Sequence, residues 1–299
     1  MPEMPEVETI RRDLDAALVG RTIVGVELIY PKTAKHPAAF FVRALVGAKI
    51  KQVSRRGKLL IISLSARGKK EAIYLLIHLK MTGQLIYLSG ARRLAGGHSL
   101  KAKSASLEEA VGGSLPNRHT RAAFDLSGKD KLFFNDLRKF GYLKLASQKE
   151  LEGILESNYG PEPLAKEFTL AALKKALDGR KTKIKAALLI QPLVAGLGNI
   201  YADEALFAAG IHPERPAGSL QDGELKKLHG AINRVIGKAI EFRGTTFSDY
   251  RDSKGKQGNF SRFLKVYGRA GEPCYRCRRP ISKKKLGGRS AHFCSTCQS

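Results

Sequence analysis

PEMPEVETIRR, residues 2–12, opens the chain and predicts a helix that fixes the amino terminus. Pro5 suits the first turn of a helix, because an N–H at that position has no intrahelical partner to lose. Gly20 is a natural helix end. Between them the apolar side chains recur on one helical face, at Val7, Ile10, Leu14 and Leu18. We therefore expect this face to pack on a core and to hold the terminus still.

The two residues after Met1 suggest a nucleophile at the chain terminus. Removal of Met1 would leave Pro2 with a secondary amine, and an α-amino group titrates near ~8, so part of it is unprotonated in a cell. Such an amine can attack a sugar carbon to form an iminium, with Glu3 beside it as a proton carrier. In the alternative interpretation, proline after Met1 is an ordinary start and the acids only favour a helix N-terminus.

The charge of the chain points to a polyanionic partner. Its 299 residues contain 53 Lys+Arg against 27 Asp+Glu, a formal net charge of +26 that suits a phosphate backbone. No apolar run approaches the ~20 residues of a spanning helix, and the first residues lack the order of a signal peptide. We therefore expect a cytoplasmic protein without a membrane partner. The length favours two domains, or two with a small module.

The first half of the chain is predicted to be a β-domain. Alternating β-branched and apolar residues predict strands over 21–30, 48–53, 59–64, 71–79, 84–88, 118–126 and 132–134. Lys58 would lie in a turn, where its amine either reaches into a groove or is simply solvated. Strands 71–79 and 84–88 are predicted to pair around a turn with Met81, which is either a wedge for a base stack or ordinary packing.

Two other segments of this half are predicted to be loops. Residues 91–115 carry two glycine pairs and a Lys/Ser/Ala-rich middle without a strand or long helix period, which predicts a flexible insertion. In NDLRKFG, residues 135–141, an arginine and an aromatic residue protrude. Arg138 and Phe140 could fill the gap left by an everted base; alternatively, Phe140 is core and Arg138 a surface charge.

From residue 148 the pattern is helical, with 158–163 as the connection between domains. A basic run at 180–185 leads into an apolar helix, and the glycine turn 195–199 precedes another helix with Asn199 as its predicted N-cap. Such a turn can hold a phosphate on free N–H groups, although any tight turn between helices also uses glycine. Apolar residues between 225 and 240 recur at helical spacing and are predicted core.

The cysteines predict a metal site. All four lie in the last 26 residues, as Cys274-x2-Cys277 and, after sixteen residues, Cys294-x2-Cys297. This is the spacing of a four-thiolate zinc site in a segment too short and polar to fold around a core, with a redox dithiol pair as the alternative. Residues 240–299 hold 14 Lys+Arg against 4 Asp+Glu, so the finger should also bind phosphates. Arg289 would lie on the connection, away from the metal.

Together these segments resemble the formamidopyrimidine-DNA glycosylase family along nearly the whole chain. The motifs that carry the resemblance are PEMPEVETIRR (2–12), RRGK (55–58), HLKMTG (78–83), NDLRKFG (135–141), GPEP (160–163), VAGLGNIYADE (194–204), HPE (212–214), RAGEPCYRC (269–277) and GRSAHFCSTCQ (288–298). The resemblance implies an α+β fold, in which a β-sandwich domain with an amino-terminal helix precedes a helical domain with a helix-two-turns-helix and a four-cysteine zinc finger.

The resemblance also implies an activity. It is that of a bifunctional DNA glycosylase and abasic-site lyase of base excision repair, which excises 8-oxoguanine or formamidopyrimidines and nicks the strand by β- and δ-elimination. Pro2 would be the Schiff-base nucleophile at C1′ and Glu3 the proton donor to the deoxyribose. Lys58 and Arg289 would donate protons in β- and δ-elimination.

Further residues match the DNA contacts of the family. Met81, Arg138 and Phe140 match its void-filling residues, and the phosphate contacts are matched by His119, Arg180, Lys181, Lys185 and Asn199. The partner would be double-stranded DNA with oxidised purines or abasic sites, bound by a monomer in a bacterial-type cytoplasm. One structural zinc ion would be held by Cys274, Cys277, Cys294 and Cys297. Departures from the usual pattern occur at Met4, Lys80, Leu137 and Ala186 and remove no proposed catalytic group.

The resemblance places the domains at 1–147 (β-sandwich and catalytic, with the 91–115 insertion), 148–163 (linker), 164–262 (helix-two-turns-helix) and 263–299 (zinc finger). Three other functions fit parts of the sequence. The endonuclease VIII branch shares the mechanism but prefers oxidised pyrimidines, and PEVETIRR favours the purine enzyme. A non-catalytic zinc-finger DNA-binding protein would not need a free terminal amine. A zinc-ribbon RNA-binding protein would leave the amino-terminal motif unexplained.

Overall fold

The computed structural model describes residues 2–65, 71–90, 92–97, 107–245 and 259–299. The predictions that concern Met1, residue 91, residues 98–106 and residues 246–258 lie outside this part of the chain. Two compact units are present, Met1–Leu155 with Arg243–Asn259 and Glu156–Phe242 with Phe260–Ser299. Among the described residues, no helix is both long enough and apolar enough to cross a bilayer.

The first unit is a β-sandwich, as predicted. Its strands are β1 (Ile23–Glu27), β2 (Lys49–Arg56), β3 (Leu59–Ser65), β4 (Ala72–His78), β5 (Gly83–Ser89), β6 (Arg92–Gly97), β7 (Thr120–Leu126), β8 (Lys131–Asp136) and β9 (Tyr142–Ala146). One sheet has the order β1-β7-β8-β5-β6 and the other β2-β3-β4-β9, all antiparallel. The α-helices within residues 2–158 are α1 (Met4–Leu18), α2 (Ala38–Leu45), α3 (Leu107–Val111) and α4 (Gln148–Asn158).

Helix α1 is packed into the core of this sandwich. Its apolar face, Val7, Ile10, Leu14 and Leu18, is buried together with side chains of both sheets. Asp15 on the same helix accepts the amide N–H of Val53 at 2.8 Å, which ties α1 to β2. The predicted helical face is confirmed, and the amino terminus starts from a buried position.

The predicted pairing of strands 71–79 and 84–88 is wrong. β4 pairs with β3 and β9, whereas β5 pairs with β6 and β8 in the other sheet. The turn between them is a corner at which the chain crosses from one sheet to the other. The amide of Gly83 donates to the carbonyl of Leu79 at 2.9 Å, and a Cβ at Gly83 would clash with the Leu79 backbone. The tight corner therefore requires glycine. It places Met81 between the end of β4 in one sheet and the start of β5 in the other.

The prediction of a structureless insertion at 91–115 is also wrong for its described part. Residues Arg92–Gly97 form the edge strand β6, and Leu107–Val111 form α3. The side-chain amides of Asn117 and Asn135 donate to the carbonyl of Val111 at 3.1 and 3.3 Å, which holds the end of α3 on the sheet. Gly96 belongs to the packing, because the side chain of Ile10 lies directly against it.

The segment from Arg243 to Thr245 groups with the sandwich, although the sequence placed it in the helical domain. Arg243 pairs with Asp13 of α1 at 2.6 Å. The amide of Thr245 donates to the Glu6 carboxylate at 2.7 Å. The polar side chains on α1 therefore capture a segment more than 220 residues away in the chain, which no local pattern could indicate.

The second unit contains both the predicted helical domain and the zinc finger. Its elements are α5 (Leu170–Leu177), α6 (Ile184–Leu188), α7 (Asn199–Ala209), α8 (Asp222–Glu241), β10 (Ser282–Leu286) and β11 (Arg289–Phe293), and α4 fills most of the predicted linker. The finger docks on the end of α7: the guanidinium of Arg276 donates to the carbonyls of Phe207 and Ala208 at 3.0 and 3.3 Å. It therefore adds side-chain donors to a helix end that the left-handed Gly210 already caps through its backbone.

We expect Gly96→Ala to loosen α1 from the sheet. The added methyl group would fall inside the contact distance of the buried Ile10 side chain, so the free energy of unfolding should drop by about 1–3 kcal/mol. Urea denaturation measures this change. Gly153→Ala is the matched control, because Gly153 lies in α4 with open space around it, and it should stabilise by up to ~1 kcal/mol. Unchanged stability of Gly96→Ala would show that α1 does not press on β6.

Candidate functional site

The residues at the start of the chain are buried. Glu3 is 3% exposed, Pro2 is buried beside it, and both precede the first turn of α1. Glu3 and Glu6 form a capping box in which the amide of Glu3 donates to the Glu6 carboxylate at 2.8 Å. The same carboxylate accepts the Thr245 amide and hydroxyl at 2.7 and 3.1 Å. The terminus is thus held in one orientation by polar contacts on α1.

Lys58 lies in the two-residue turn between β2 and β3, as the sequence predicted. Its side chain is only 5% exposed, so the alternative of a solvated surface lysine is wrong. The strand that leads to it is anchored on α1, because Arg55 pairs with the buried Glu8 at 2.8 Å. The Arg55 and Arg11 cations offset the burial and lower the pKa of Glu8, so its carboxylate stays charged.

His78 is a residue of this region that the sequence interpretation missed. It ends β4, and its ring lies 5.7 Å from that of Tyr142. Burial, with the Lys80 and Lys58 cations nearby, lowers the pKa of His78 to about 3, so the imidazole is neutral at physiological pH. Its Nδ1 accepts the amide of Lys80 at 3.0 Å, which leaves the proton on Nε2. His78 is therefore a hydrogen-bond donor beside two lysines.

The Met81 corner and the loop with Arg138 and Phe140 are both held by one buried side chain, Asp136. Its carboxylate accepts the Thr82 hydroxyl and the amides of Arg138 and Gly141, the latter at 2.7 Å. No local pattern marks Asp136, because its partners come from two segments more than fifty residues apart. The two protruding segments are thereby tied to each other.

Both protruding segments expose apolar side chains. Met81 is 36% exposed and Phe140 is 53% exposed, so the alternative that Phe140 is core is wrong. The Arg138 guanidinium lies 4.6 Å from the Phe140 ring centroid, a cation–π arrangement that keeps the pair together. Because Asp136 orders the backbone on both sides, the structure brings Met81, Arg138 and Phe140 to connected loops of the first unit.

His119 is a buried residue. Its Nε2 accepts the Arg118 Nε–H at 3.1 Å, and its amide donates to the Asn117 side chain at 2.9 Å. Burial and the Arg118 and Arg121 cations lower the pKa of His119. This imidazole is therefore neutral and tied to the neighbouring arginine.

In the second unit, Arg180 and Lys181 are exposed on the basic run. The glycine turn that follows is organised by Gln191, whose side chain accepts the Gly196 amide at 2.9 Å and donates to the Leu197 carbonyl at 3.0 Å. Helix α7 begins at Asn199 with Gly198 as its N-cap, so the prediction of Asn199 as N-cap is wrong by one residue. The extended backbone of Gly198 takes the cap position. The buried Oδ1 of Asn199 has no hydrogen-bond partner among the described residues.

Lys185 is not a surface residue. It is 1% exposed, its ammonium pairs with Asp203 at 2.6 Å, and it donates to the carbonyl of Ser290 at 2.5 Å. Asp203 in turn accepts the amide of His292 at 2.9 Å. Lys185 therefore connects α6 and α7 to the finger strand that starts at Arg289, and its charge is directed inward.

The neighbouring Glu204 makes a second connection that the sequence did not reveal. Its carboxylate accepts the backbone amides of Lys265, Val266 and Tyr267 at 2.9–3.0 Å. Burial raises the pKa of Glu204, and the three amides work against this rise. The chain segment that enters the zinc finger is thus held on α7.

Arg289 lies at the tip of the β10–β11 hairpin, as predicted. The turn consists of Gly287 and Gly288, both with positive φ (55° and 80°), which is the two-residue turn that suits twisted strands. Arg289 pairs across the hairpin with Leu286 and is exposed. Cys294 directly follows the opposite end of β11, so Arg289 lies at the end of the hairpin away from that cysteine.

The four cysteines converge on one point. Their sulfur atoms lie within 4.8 Å of one another, with 3.4 Å between Cys277 and Cys294 and 4.0 Å between Cys274 and Cys297. A tetrahedral zinc ion with bonds of about 2.3 Å needs sulfurs about 3.8 Å apart. The cluster fits one structural zinc ion in donor type, number and spacing, and no disulfide joins these cysteines.

Family models match most of the chain. The formamidopyrimidine-DNA glycosylase N-terminal domain matches residues 1–143, the H2TH domain of the same enzymes residues 159–251, and a zinc finger found in FPG and IleRS residues 271–299. A formamidopyrimidine-DNA glycosylase of Pelotomaculum thermopropionicum is 44% identical, covering 100% of this chain and 99% of its own. One from Symbiobacterium thermophilum is 45% identical, with 100% and 89% covered.

Solved structures agree with these sequence matches. A Lactococcus lactis FPG mutant in complex with Fapy-dG-containing DNA superimposes with a TM-score of 0.85 at 34% identity, and 99% of each chain is covered. The complex between the Lactococcus lactis enzyme and an abasic site containing DNA gives the same TM-score, identity and coverage.

We expect Lys185→Met to destabilise the second unit rather than to weaken DNA binding directly. Removing the ammonium leaves the buried Asp203 carboxylate unpaired, which costs about 3–5 kcal/mol. Denaturant unfolding measures the loss. Lys181→Met is the control: this exposed lysine should leave stability unchanged and lower the salt slope of DNA affinity by about one. A normal unfolding curve for Lys185→Met with a reduced salt slope would instead make Lys185 a phosphate contact.

Removal of zinc should unfold the finger and abolish DNA binding while the β-sandwich stays folded. The finger has only a small core of its own, in which Val266 and Ile281 pack with two of the cysteines and Phe207. Fluorescence anisotropy with duplex DNA, before and after chelation, measures the affinity, and circular dichroism follows the strands. Added zinc should restore binding. Equal affinity of the metal-free protein would contradict the role of the finger.

Proposed function

Because the chain belongs to the formamidopyrimidine-DNA glycosylase family, we propose that it is a bifunctional DNA glycosylase and abasic-site lyase of base excision repair. Its substrates are 8-oxoguanine and formamidopyrimidines in double-stranded DNA, together with abasic sites. The relatives that carry this family name match the chain over its full length, and the solved relatives bind Fapy-dG or abasic-site DNA. The family match therefore supports the substrate class.

The observation that carries the proposal is the burial of Pro2, Glu3 and Lys58 in the first unit. A chain terminus and a turn lysine are ordinarily solvated, and withdrawing ionisable groups from water is costly. Perturbed ionisable groups cluster at functional sites, and here the amino-terminal segment and a turn lysine are both withdrawn from water in one unit. Helix α1 and the Arg55–Glu8 ion pair hold these segments on one core.

In the proposed mechanism, Pro2 supplies the nucleophile once Met1 is removed. Its nitrogen attacks C1′ as the glycosidic bond breaks, and the base leaves with that electron pair and takes up a proton. Glu3 donates a proton to O4′ as the deoxyribose ring opens, which leaves an iminium between the nitrogen and C1′. The attacking nitrogen gives up its single N–H proton to solvent, so the iminium forms on a nitrogen that carries no hydrogen.

The iminium makes strand cleavage possible without a cofactor. It acidifies the C2′ proton, and loss of that proton expels the 3′ phosphate, to which Lys58 donates a proton. Loss of the C4′ proton then expels the 5′ phosphate, with Arg289 as the donor. Water hydrolyses the iminium, which releases the sugar fragment and restores the amine. The structural zinc ion organises the finger that carries Arg289.

DNA binding in this proposal is divided between the units. Met81, Arg138 and Phe140 fill the gap left by the everted nucleotide, since they protrude on loops that Asp136 ties together. The candidate phosphate contacts are His119, Arg180, Lys181 and Asn199. Lys185 supports this surface from inside through Asp203. A monomer in the cytoplasm acts on duplex DNA. Residues 1–147 with the captured segment 243–245 form the catalytic domain, and the helical and finger residues of the second unit bind DNA.

The test is borohydride trapping on a duplex with a single 8-oxoguanine opposite cytosine, followed by mass analysis of the cross-linked peptide. We expect a covalent adduct on Pro2, because borohydride reduces the iminium. Pro2→Gly leaves a primary amine of different nucleophilicity and should trap more slowly. Lys51→Gln on β2 is a control for nonspecific charge loss, because Lys51 is exposed.

Three outcomes would contradict parts of this proposal. An adduct formed only with an oxidised pyrimidine would move the protein to the endonuclease VIII branch. No adduct with any lesion would favour a non-catalytic DNA-binding protein. Full activity of a variant with a blocked amino terminus would refute the Pro2 mechanism.

A further inference from the structure

A pocket in the second unit has no role in the proposed function. It has a volume of about 430 Å³ and lies between the second half of α7, α8 and the first cysteine knuckle. We name it the α8 pocket. Its apolar walls are Phe207, Val235, Phe260, Phe263 and Tyr275. This volume lies within the range of about 300–1,000 Å³ that is usual for binding pockets.

One wall of the α8 pocket is an exposed aromatic ring. Tyr275 is 55% exposed, although it lies between two zinc ligands in a segment that docks on α7. Phe207 and Phe260 form a deeper, buried floor. A buried aromatic floor that opens to an exposed aromatic rim suits an apolar anchor inserted from solvent.

Four cations surround this apolar space: Arg234, Lys238, Lys265 and Arg276. Lys238 Nζ lies 4.0 Å from the Phe263 ring centroid, and Lys265 Nζ lies 4.7 Å from that of Tyr275. In the described part of the chain none of the four pairs with a carboxylate, and Arg276 is held by the carbonyls of Phe207 and Ala208. Cation–π contacts orient Lys238 and Lys265 at the pocket but do not neutralise them.

The acid among the lining residues does not offset the positive charge of the four cations. Glu204 lines it, but its carboxylate is buried and accepts the amides of Lys265, Val266 and Tyr267. Its oxygen atoms are thus directed at the backbone. The field at the mouth of the pocket is positive, and the complementary ligand carries several negative charges around an apolar group.

From the aromatic floor and the unpaired cationic rim, we propose that the α8 pocket is a docking site for an acidic segment of a partner protein. This segment inserts one aromatic or large aliphatic side chain between Phe207 and Tyr275 and places flanking carboxylates on Lys238 and Arg234. The proposal does not depend on the enzymatic activity proposed above.

The same charges could attract DNA, but the shape of the site favours a peptide. Apart from the one nucleotide that is everted in the proposed reaction, a duplex presents phosphates at its surface and keeps its bases stacked, so it brings no apolar group to the floor of the α8 pocket. The candidate phosphate contact Asn199 starts α7, whereas the pocket begins at Glu204 and extends to Ala208. These positions lie roughly 8–14 Å further along the helix. An acidic peptide supplies both the anchor and the charges on adjacent side chains.

The experiment uses the zinc-loaded full chain and a fluorescein-labelled hexapeptide with one phenylalanine flanked by aspartates. Fluorescence anisotropy should give saturable binding that weakens with salt. Lys238→Glu and Arg234→Glu should each weaken it about ten-fold or more, because attraction becomes repulsion. Replacing the peptide phenylalanine by alanine should weaken it by a similar factor. Both protein variants change exposed side chains on α8, and thermal melting checks that they are folded.

Lys226→Glu is the matched control, because it reverses one exposed charge on the same helix outside the pocket. Binding should be unchanged by it within about two-fold, since an exposed charge two turns away is largely screened. The proposal is overturned if this control weakens binding as much as Lys238→Glu, or if the alanine peptide binds equally well. It is also overturned if a single-stranded oligonucleotide of equal charge displaces the peptide completely, since the occupant would then be nucleic acid.

Discussion

Helix α7 contains two adjacent buried carboxylates, Asp203 and Glu204, whose charges need partners. The contacts that supply these partners hold the second unit together. Asp203 is paired with Lys185, and Glu204 accepts three consecutive backbone amides that begin at Lys265. A buried charge without partners would cost several kcal/mol, so neither acid tolerates a displaced partner. One helix therefore fixes the basic helix α6, the hairpin that carries Arg289 and the segment that leads into the finger.

The first unit uses the same device on a smaller scale. Asp136 gathers donors from the Met81 corner and from the loop with Arg138 and Phe140, and Glu6 captures Thr245. In a chain with a surplus of 26 positive charges, the few buried acids act as fixed points that order otherwise independent loops. The exposed side chains on these loops thus gain a rigid base without being buried themselves.

Local patterns predicted the parts whose causes are local. The apolar period of α1, the position of Lys58 in a hairpin turn, and the cysteine spacing were confirmed, because each depends on neighbouring residues. The strand pairing around Met81 was wrong, since a turn sequence does not reveal which sheet the next strand joins. Gly96 lies in the segment that was wrongly predicted to be a flexible insertion, because the reason for this glycine, the closeness of Ile10, comes from a distant part of the chain.

The sequence by itself determined the two-part α+β organisation, the zinc ligands, the positive charge and the candidate nucleophile, because composition, periodicity and motif spacing are properties of the chain alone. Only the tertiary structure decided the direction of individual charges. Lys185 belongs to a basic run yet faces inward to Asp203, and Lys238 belongs to an amphipathic helix yet stands at the mouth of a pocket. Whether a lysine is neutralised or available depends on partners brought together by folding, and these partners leave no local trace.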